Sequence, residues 1–431
     1  MLNIKKYTGY YIDLGSSYGV VIVSIIIPIL LTPYLLDKLG GELYGLWVLL
    51  SSIIAYFHLS NFGMSTTYLK EISNKLDFIS LSKYTSTTFF FFIFVIFIMA
   101  IVFSVILYNL ENIFLIETNL VETAKIVFFI LFFIFGMSLV GTIFDSILFA
   151  NGFLYLKNIV VIVSTSLTAI FTYLVLRYGY SLVEVSFIHF GMSLITIFVY
   201  FIISLKIVSV KISFKYFDIE LLKSLFKPSI YYFLIGLAVM ISFYSDSIII
   251  SSFIGLTAVA IYTVAFKVIN ISEKILFKIV DIMFPDISRL YQEKKYDELL
   301  LKHNKVMLIS LLLGIIGYGL LYFFGIKLIH LWVGEEYTVD IGVFYFLLAF
   351  SFIHIWNHVS SIFIMAMGLH REVSFSVAIE AFLNVLLSII LLKYYGLMGV
   401  AMGTFFAHLL TNNWFPTFWF YKKIAQFKKE E

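Results

Sequence analysis

A chain of 431 residues in which 61% are hydrophobic, 19% aromatic and only 13% charged does not fit a soluble globular domain and has to place most of its surface in lipid. A net charge of +3, with no basic face in a soluble region, speaks against nucleic acid as a partner. The absence of cysteine excludes disulfides and thiolate metal sites.

A bilayer core of about 30 Å takes roughly 20 apolar residues per helix. That ruler predicts spans at 14–36, 43–67, 84–108, 124–149, 155–176, 181–205, 226–250, 256–282, 305–326, 342–366, 372–392 and 397–421. The expected fold class is therefore an all-α integral membrane protein of about 12 transmembrane helices. Lys5 and Lys6 ahead of the first apolar run imitate a signal peptide. The run is too long for one and lacks a small-residue cleavage site, so it is expected to stay as the first span. Pro28 and Pro33 predict a kink or break in that span, unless they are simply tolerated as membrane prolines.

Of the 29 Lys and Arg, only Lys38, Lys125, Arg177, Lys327 and Lys393 fall in the loops of one side. By the positive-inside rule that side is outer and both termini are cytoplasmic. The longest polar connections, around Lys206–Lys227 and Asp286–Lys305, are then inside, and the first of them is a natural joint between halves at 1–210 and 211–431. The halves echo one another. Leu39-Gly40 and Tyr44-Gly45-Leu46-Trp47 return 215 residues later as Ile254-Gly255 and Val259-Ala260-Ile261-Tyr262. Ala150, Gly152, Arg177 and Tyr178 return as Ala366, Gly368, Lys393 and Tyr394, shifted by 216. Two six-span lobes in a parallel repeat are the expectation, with substrate bound between them.

No Gly-rich phosphate loop, nucleophile elbow, HExxH or loop carboxylate pair is present, so neither catalysis nor a metal or organic cofactor is expected. Instead, polar stripes run inside spans. In the eighth, Thr263, Lys267, Asn270, Lys274, Lys278 and Asp281 project within an arc of about 80°. Three lysines and an aspartate facing hydrocarbon would cost roughly 10 kcal/mol, so the stripe has to face protein or water. Its positive excess suits an anion such as a phosphate, bound by Lys267, Asn270 and Lys274, whereas Lys278 and Asp281 fit residues that snorkel to the inner surface.

The eleventh span places Ser376, Glu380, Asn384 and Ser388 on one face. Glu380 either carries a coupling proton or pairs with a basic group on a neighbouring helix. The tenth span aligns Ser351, His354, Asn357, His358 and Ser361, and the sixth aligns Ser186, His189, Ser193 and Thr196. His354, His358 and His189 are the accompanying candidates for ion coupling, with polar packing as the alternative. Asp246 in the seventh span is either a further intramembrane acid or an interfacial residue near the outer surface. The tryptophans and many tyrosines fit interfacial belts.

The run LDKLGGELYGLWVLL (Leu36–Leu50) followed by SNFGMSTTYLKEIS (Ser60–Ser73) resembles the signature of the polysaccharide transport proteins, the O-antigen and capsule flippases of the multidrug/oligosaccharidyl-lipid/polysaccharide superfamily. SDSIIISSFIG (Ser245–Gly255), AVAIYTVAFKVI (Ala258–Ile269), MFPDISRLY (Met283–Tyr291) and the ANG at Ala150 resemble further landmarks. Asn61 stands where that family often has an acid, and Lys70 where arginine is usual. The resemblance implies two six-helix lobes around a cavity in a bacterial or archaeal plasma membrane. It implies transfer of an undecaprenyl-diphosphate-linked oligosaccharide to the outer leaflet, with Lys267 and the other cavity residues on the diphosphate. Asp246 and Lys70 join that expected set, proton or sodium coupling is expected beside it, and the polysaccharide polymerase and assembly machinery are the implied partners. The rival readings are a multidrug exporter of the same superfamily, a lipid II flippase and, from another class, a membrane polysaccharide polymerase or glycosyltransferase.

Overall fold

The structure is a computed structural model that describes residues 2–74 and 76–430. Lys75 and the side chains of Lys5, Lys6 and Lys227, all assigned above to the inner side, lie outside the described residues. No strand occurs among the described residues. In chain order the helices are α1 (Leu2–His58), α2 (Met64–Ile72), α3 (Phe78–Tyr108), α4 (Leu110–Ile113), α5 (Val121–Ala150), α6 (Leu154–Arg177), α7 (Leu182–Ile207), α8 (Ile219–Phe253), α9 (Leu256–Asp281), α10 (Phe284–Gln292), α11 (Tyr296–Val333), α12 (Ile341–Ala366), α13 (His370–Tyr395), α14 (Leu397–Leu410) and α15 (Phe415–Glu430).

The first and second predicted spans share α1. Its 57 residues would run about 85 Å if straight, nearly three bilayer cores, so the chain has to turn within it. The turn is at Gly40 (φ 77, ψ 171), and neither Pro28 nor Pro33 interrupts the helical dihedrals. Of the two readings left open for the prolines, a break is overturned and tolerated membrane prolines are what the helix shows. A proline removes one backbone hydrogen bond but keeps a helical φ, whereas Gly40 occupies a backbone region closed to residues with a Cβ.

The second span also ends early. The helix stops at His58, and Phe62 (φ 51) and Gly63 (φ 73) turn the chain into α2. Asn61 Oδ1 accepts from Gly63 N–H at 2.6 Å, which an acid at this position would do equally well. The predicted twelfth span is two helices, α14 and α15, parted at 411–414. There Asn412 gives its buried side chain to neighbours on α13, and Pro416 lies in the first turn of α15.

Nine helical stretches among the described residues are individually long and apolar enough to cross a membrane. The α1 stretch is long enough to count twice at Gly40, and α8 and the α14–α15 pair occupy the remaining predicted positions.

The chain forms two compact units, Met1–Gly236 and Leu237–Glu431. In the first, an aromatic core of Phe57, Phe103, Phe128, Phe132 and Phe135 packs α1, α3 and α5, with Phe103 and Phe132 stacked at 4.5 Å. The connection after α7, expected to be the joint between halves, is pinned to the start of α3. Ser86 Oγ donates to the Lys211 carbonyl at 3.2 Å and accepts from Ser213 N–H at 3.1 Å, while Ser82 and Thr87 accept from Lys211 and Asp218 N–H. The Leu221 and Glu220 N–H groups, with Lys83 nearby, hold the Asp218 carboxyl below its usual range. In the second unit, α10, α11, α12 and α15 close a core around Ile287, Leu299, Phe363 and Phe420.

The left-handed glycines carry the internal repeat. Gly40 matches Gly255 (φ 126, ψ 178), Gly152 (φ 79) matches Gly368 (φ 80), and Gly179 (φ 84) matches Gly396 (φ 57). Gly40→Ala and Gly255→Ala are each expected to cost about 1–3 kcal/mol. Thermal unfolding in detergent checks this, with Gly317→Ala, where a helical Cβ meets open space, as the near-neutral control.

Candidate functional site

The second unit holds a polar core built from α8, α9, α12, α13 and α14. Close approach of α13 and α14 makes it. A Cβ on Gly403 would lie 2.5 Å from Ser388 N, and one on Gly399 would lie 2.3 Å from the Leu391 carbonyl carbon, so two glycines four residues apart let the backbones touch. That contact brings Thr404, His408 and Asn412 against Asn384 and Glu380.

Asp246, 5% exposed, accepts from Tyr262 Oη at 2.6 Å and from Thr404 Oγ1 at 3.3 Å, both on Oδ2. Asn384 Nδ2 donates to Thr404 Oγ1 at 3.1 Å. Asp246 Oδ1 is buried without a hydrogen-bond partner among the described residues. One turn along α14, His408 Nδ1 lies 3.0 Å from Glu380 Oε1, and Asn412 donates to Glu380 Oε2. Ser376 Oγ donates to Asn412 Oδ1 at 2.5 Å. The His408 ring is 5.2 Å from that of His354, whose Nδ1 lies 3.1 Å from Glu273 Oε1. Glu273, 2% exposed, also accepts from Ser351 Oγ at 2.7 Å, and Ser351 in turn meets Tyr318 Oη at 2.5 Å. Because Ser351 spends its proton on Glu273, Tyr318 is the donor.

The result is two hydrogen-bonded runs, Tyr318–Ser351–Glu273–His354 and His408–Glu380–Asn412, which meet edge to face at the two histidine rings. They contain two carboxylates and two imidazoles. Hydrogen bonds from the imidazoles, Ser351 and Asn412 satisfy the two carboxylates, which is how such groups are tolerated away from water. Sequence reasoning placed Glu380 and His354 and missed Glu273 and His408. Glu273 lies about 60° outside the lysine arc of its helix, toward α12. His408 sits on the stretch predicted as a plain apolar span.

The lysine stripe lies on α9. Lys267 and Asn270 are half-buried in this unit, Lys274 is exposed and Lys278 is half-buried. Asp281, at the end of the stripe, is held by His358 Nε2 at 2.9 Å, and the His358 ring stacks on Phe277 at 3.8 Å.

In the first unit, Lys70 is exposed on α2. His189 on α7 packs against Trp47, with ring centroids 4.9 Å apart. Two features there escaped the sequence. Asp145 and Lys157 form an ion pair at 2.9 Å between α5 and α6, and Asp13 Oδ1 accepts from Tyr155 N–H at 2.9 Å, tying α1 to α6. Among the described residues, no group of three or more His, Asp and Glu could hold a metal ion.

Residues 13–291, well over half of the chain, match the family described as polysaccharide biosynthesis protein. The chain belongs to that family. One curated relative, an uncharacterised membrane protein of Methanocaldococcus jannaschii, is 24% identical over 206 residues, 48% of this chain. The chain spans 40% of the length of that relative. Solved structures share the fold. An inward-facing multidrug resistance MATE family transporter of the MOP superfamily gives a TM-score of 0.73 at 14% identity, over 95% of this chain and 96% of that one. The lipid II flippase MurJ in an inward closed conformation gives 0.75 at 17% identity, over 96% of this chain and 87% of that one. This member of the polysaccharide biosynthesis family is thus a multi-pass membrane protein with the all-α fold of the MOP superfamily, as the motifs in both halves implied.

Proposed function

We propose that this protein is a flippase that moves an undecaprenyl-diphosphate-linked oligosaccharide from the cytoplasmic to the outer leaflet of a bacterial or archaeal plasma membrane. The two six-span halves, 1–210 and 211–431, alternate access to the substrate, and both termini are cytoplasmic. The glycan is a repeat unit of O-antigen, capsule or a related surface polysaccharide, delivered to a polymerase and its assembly machinery. The role is transport, not catalysis.

The observation that carries this reading is the lysine stripe on α9. A membrane helix keeps Lys267, Lys274 and Lys278 on one face at an insertion cost of about 2.5–3.5 kcal/mol each. Retention of such a face fits a dianionic headgroup passing along it, with Asn270, Asp246 and Lys70 completing the proposed substrate contacts. Coupling is assigned to the polar core of the second unit. Glu380 and His354 exchange the ion, and His358 and His189 are the outlying candidates. A proton fits the carboxylate–imidazole pairs, and sodium fits the unfilled Asp246 oxygen.

Leaflet exchange of an undecaprenyl-diphosphate-linked glycan in proteoliposomes tests the reading. The wild-type protein is expected to move the glycolipid well above the rate of protein-free vesicles. Absence of exchange, together with expulsion of an organic cation against an ion gradient, would replace it with a multidrug antiporter of the same fold. Elongation of glycan chains by the purified protein would replace it with a polymerase.

A further inference from the structure

The first unit contains a cavity of about 500 Å3 between α1, α5, α6 and α7, within the roughly 300–1,000 Å3 usual for ligand sites. Apart from His189, no residue assigned above to substrate or ion lines it. Much of its wall is hydroxyl, and the direction of each hydroxyl decides what it can bind. Ser138, Thr142, Ser164, Thr168 and Thr196 each donate to a backbone carbonyl three or four residues back, at 2.7–3.2 Å. Tyr200 Oη donates to the Lys157 carbonyl at 3.3 Å. A hydroxyl has one proton and two lone pairs, so these groups have spent their donors and keep acceptors. Thr165 and Ser193, also in the wall, make no hydrogen bond among the described residues.

Charge is balanced at the same place. Asp145 reaches the cavity, but Lys157 pairs with it at 2.9 Å. Apart from His189, the remaining side chains of the wall are apolar, among them Ile27, Leu31, Ile134, Met192 and Ile197.

These properties sort the candidate ligands. A phosphate brings only acceptors and a double negative charge to a wall whose hydroxyls have mostly spent their protons and whose lysine is already paired with Asp145, so it is disfavoured. A small cation finds no unpaired carboxylate to replace its water. A hydrocarbon would desolvate the lone pairs and return nothing for them. A pyranose ring brings several O–H donors around its rim and C–H faces for the apolar wall. Resting on the flippase reading, the geometry points to this cavity as the site that holds a neutral sugar ring of the carried glycan. The lysine stripe then serves the headgroup, and the first unit selects the sugar.

The Trp47–His189 ring pair at the wall supplies a reporter. The full chain in lipid nanodiscs is titrated with neutral methyl pyranosides, with tetramethylammonium and with inorganic pyrophosphate, following tryptophan fluorescence and using Trp47→Phe to assign the signal. At least one methyl pyranoside is expected to give a saturable change carried by Trp47. Thr168→Val, which deletes an acceptor and keeps the shape, is expected to weaken that binding at least fivefold, and Thr168→Leu, which also pushes a bulkier apolar group into the cavity, to weaken it further. A saturable response to tetramethylammonium or pyrophosphate and none to any pyranoside overturns the assignment. So does leaflet exchange of the glycolipid at the wild-type rate in Thr168→Val and Thr168→Leu, and in that case the flippase reading stands without the sugar pocket. Pyranoside binding by a protein that exchanges no glycolipid leaves the pocket and removes the flippase.

Discussion

Glu380→Ala is expected to destabilise the second unit by about 2–5 kcal/mol, because it leaves two buried polar groups without their acceptor. His408 and Asn412 are each 1% exposed and turn toward the same carboxylate, so truncation strands both away from water. Glu380→Gln is milder. Its carbonyl oxygen still accepts from His408, but its amide meets the Asn412 donor, so about 1–2 kcal/mol is lost, in line with one unmade hydrogen bond. Because Gln binds no exchangeable proton, this variant is also expected to remove any dependence of transport on a proton gradient while leaving downhill leaflet exchange intact. Unfolding in detergent checks the first effect, and exchange with and without an imposed gradient checks the second. Gradient dependence that survives in Glu380→Gln would move the coupling ion to Asp246.

Lys267→Ala is expected to slow leaflet exchange by roughly 10- to 150-fold. A hydrogen bond to a charged group contributes about 1.5–3 kcal/mol, and each 1.4 kcal/mol is a factor of ten. Membrane insertion and melting temperature should hardly change, because the side chain is only half-buried in its unit. Lys267→Arg keeps the charge and should retain most of the rate. Exchange at the wild-type rate in Lys267→Ala would place the diphosphate elsewhere.

The long apolar runs could be read directly, because a period of about 20 residues is imposed by the bilayer and hardly depends on packing. The turning points could be read only in part. The echo between Gly40 and Gly255 was visible as a repeat, but its meaning, a left-handed backbone position in each half, is a matter of dihedral angles that composition does not carry. Pro28 and Pro33 left a break and a tolerated membrane proline both open, and the helical dihedrals at both positions select the second, since neighbouring groups in a membrane protein re-satisfy the freed carbonyl. In the site, residues on one helix face were found together, since periodicity reports faces. Glu273 with His354 and Glu380 with His408 were missed as pairs because each joins two helices, and the register between helices is set by contacts such as Gly403 against Ser388.

The polar core of the second unit also bears on how the protein is made. Among the nine stretches apolar enough to cross a membrane, those containing α9 and α12 are the two least apolar, and they carry Glu273 and His354. Of the two, α9 emerges with Glu273 still without its histidine, whereas α12 brings His354 to a carboxylate already made. Glu273 is synthesised 81 residues before the histidine that satisfies it. Throughout that interval the carboxyl needs some other polar contact to keep it from lipid, so the pairing distance along the chain sets how long α9 is incomplete in the membrane.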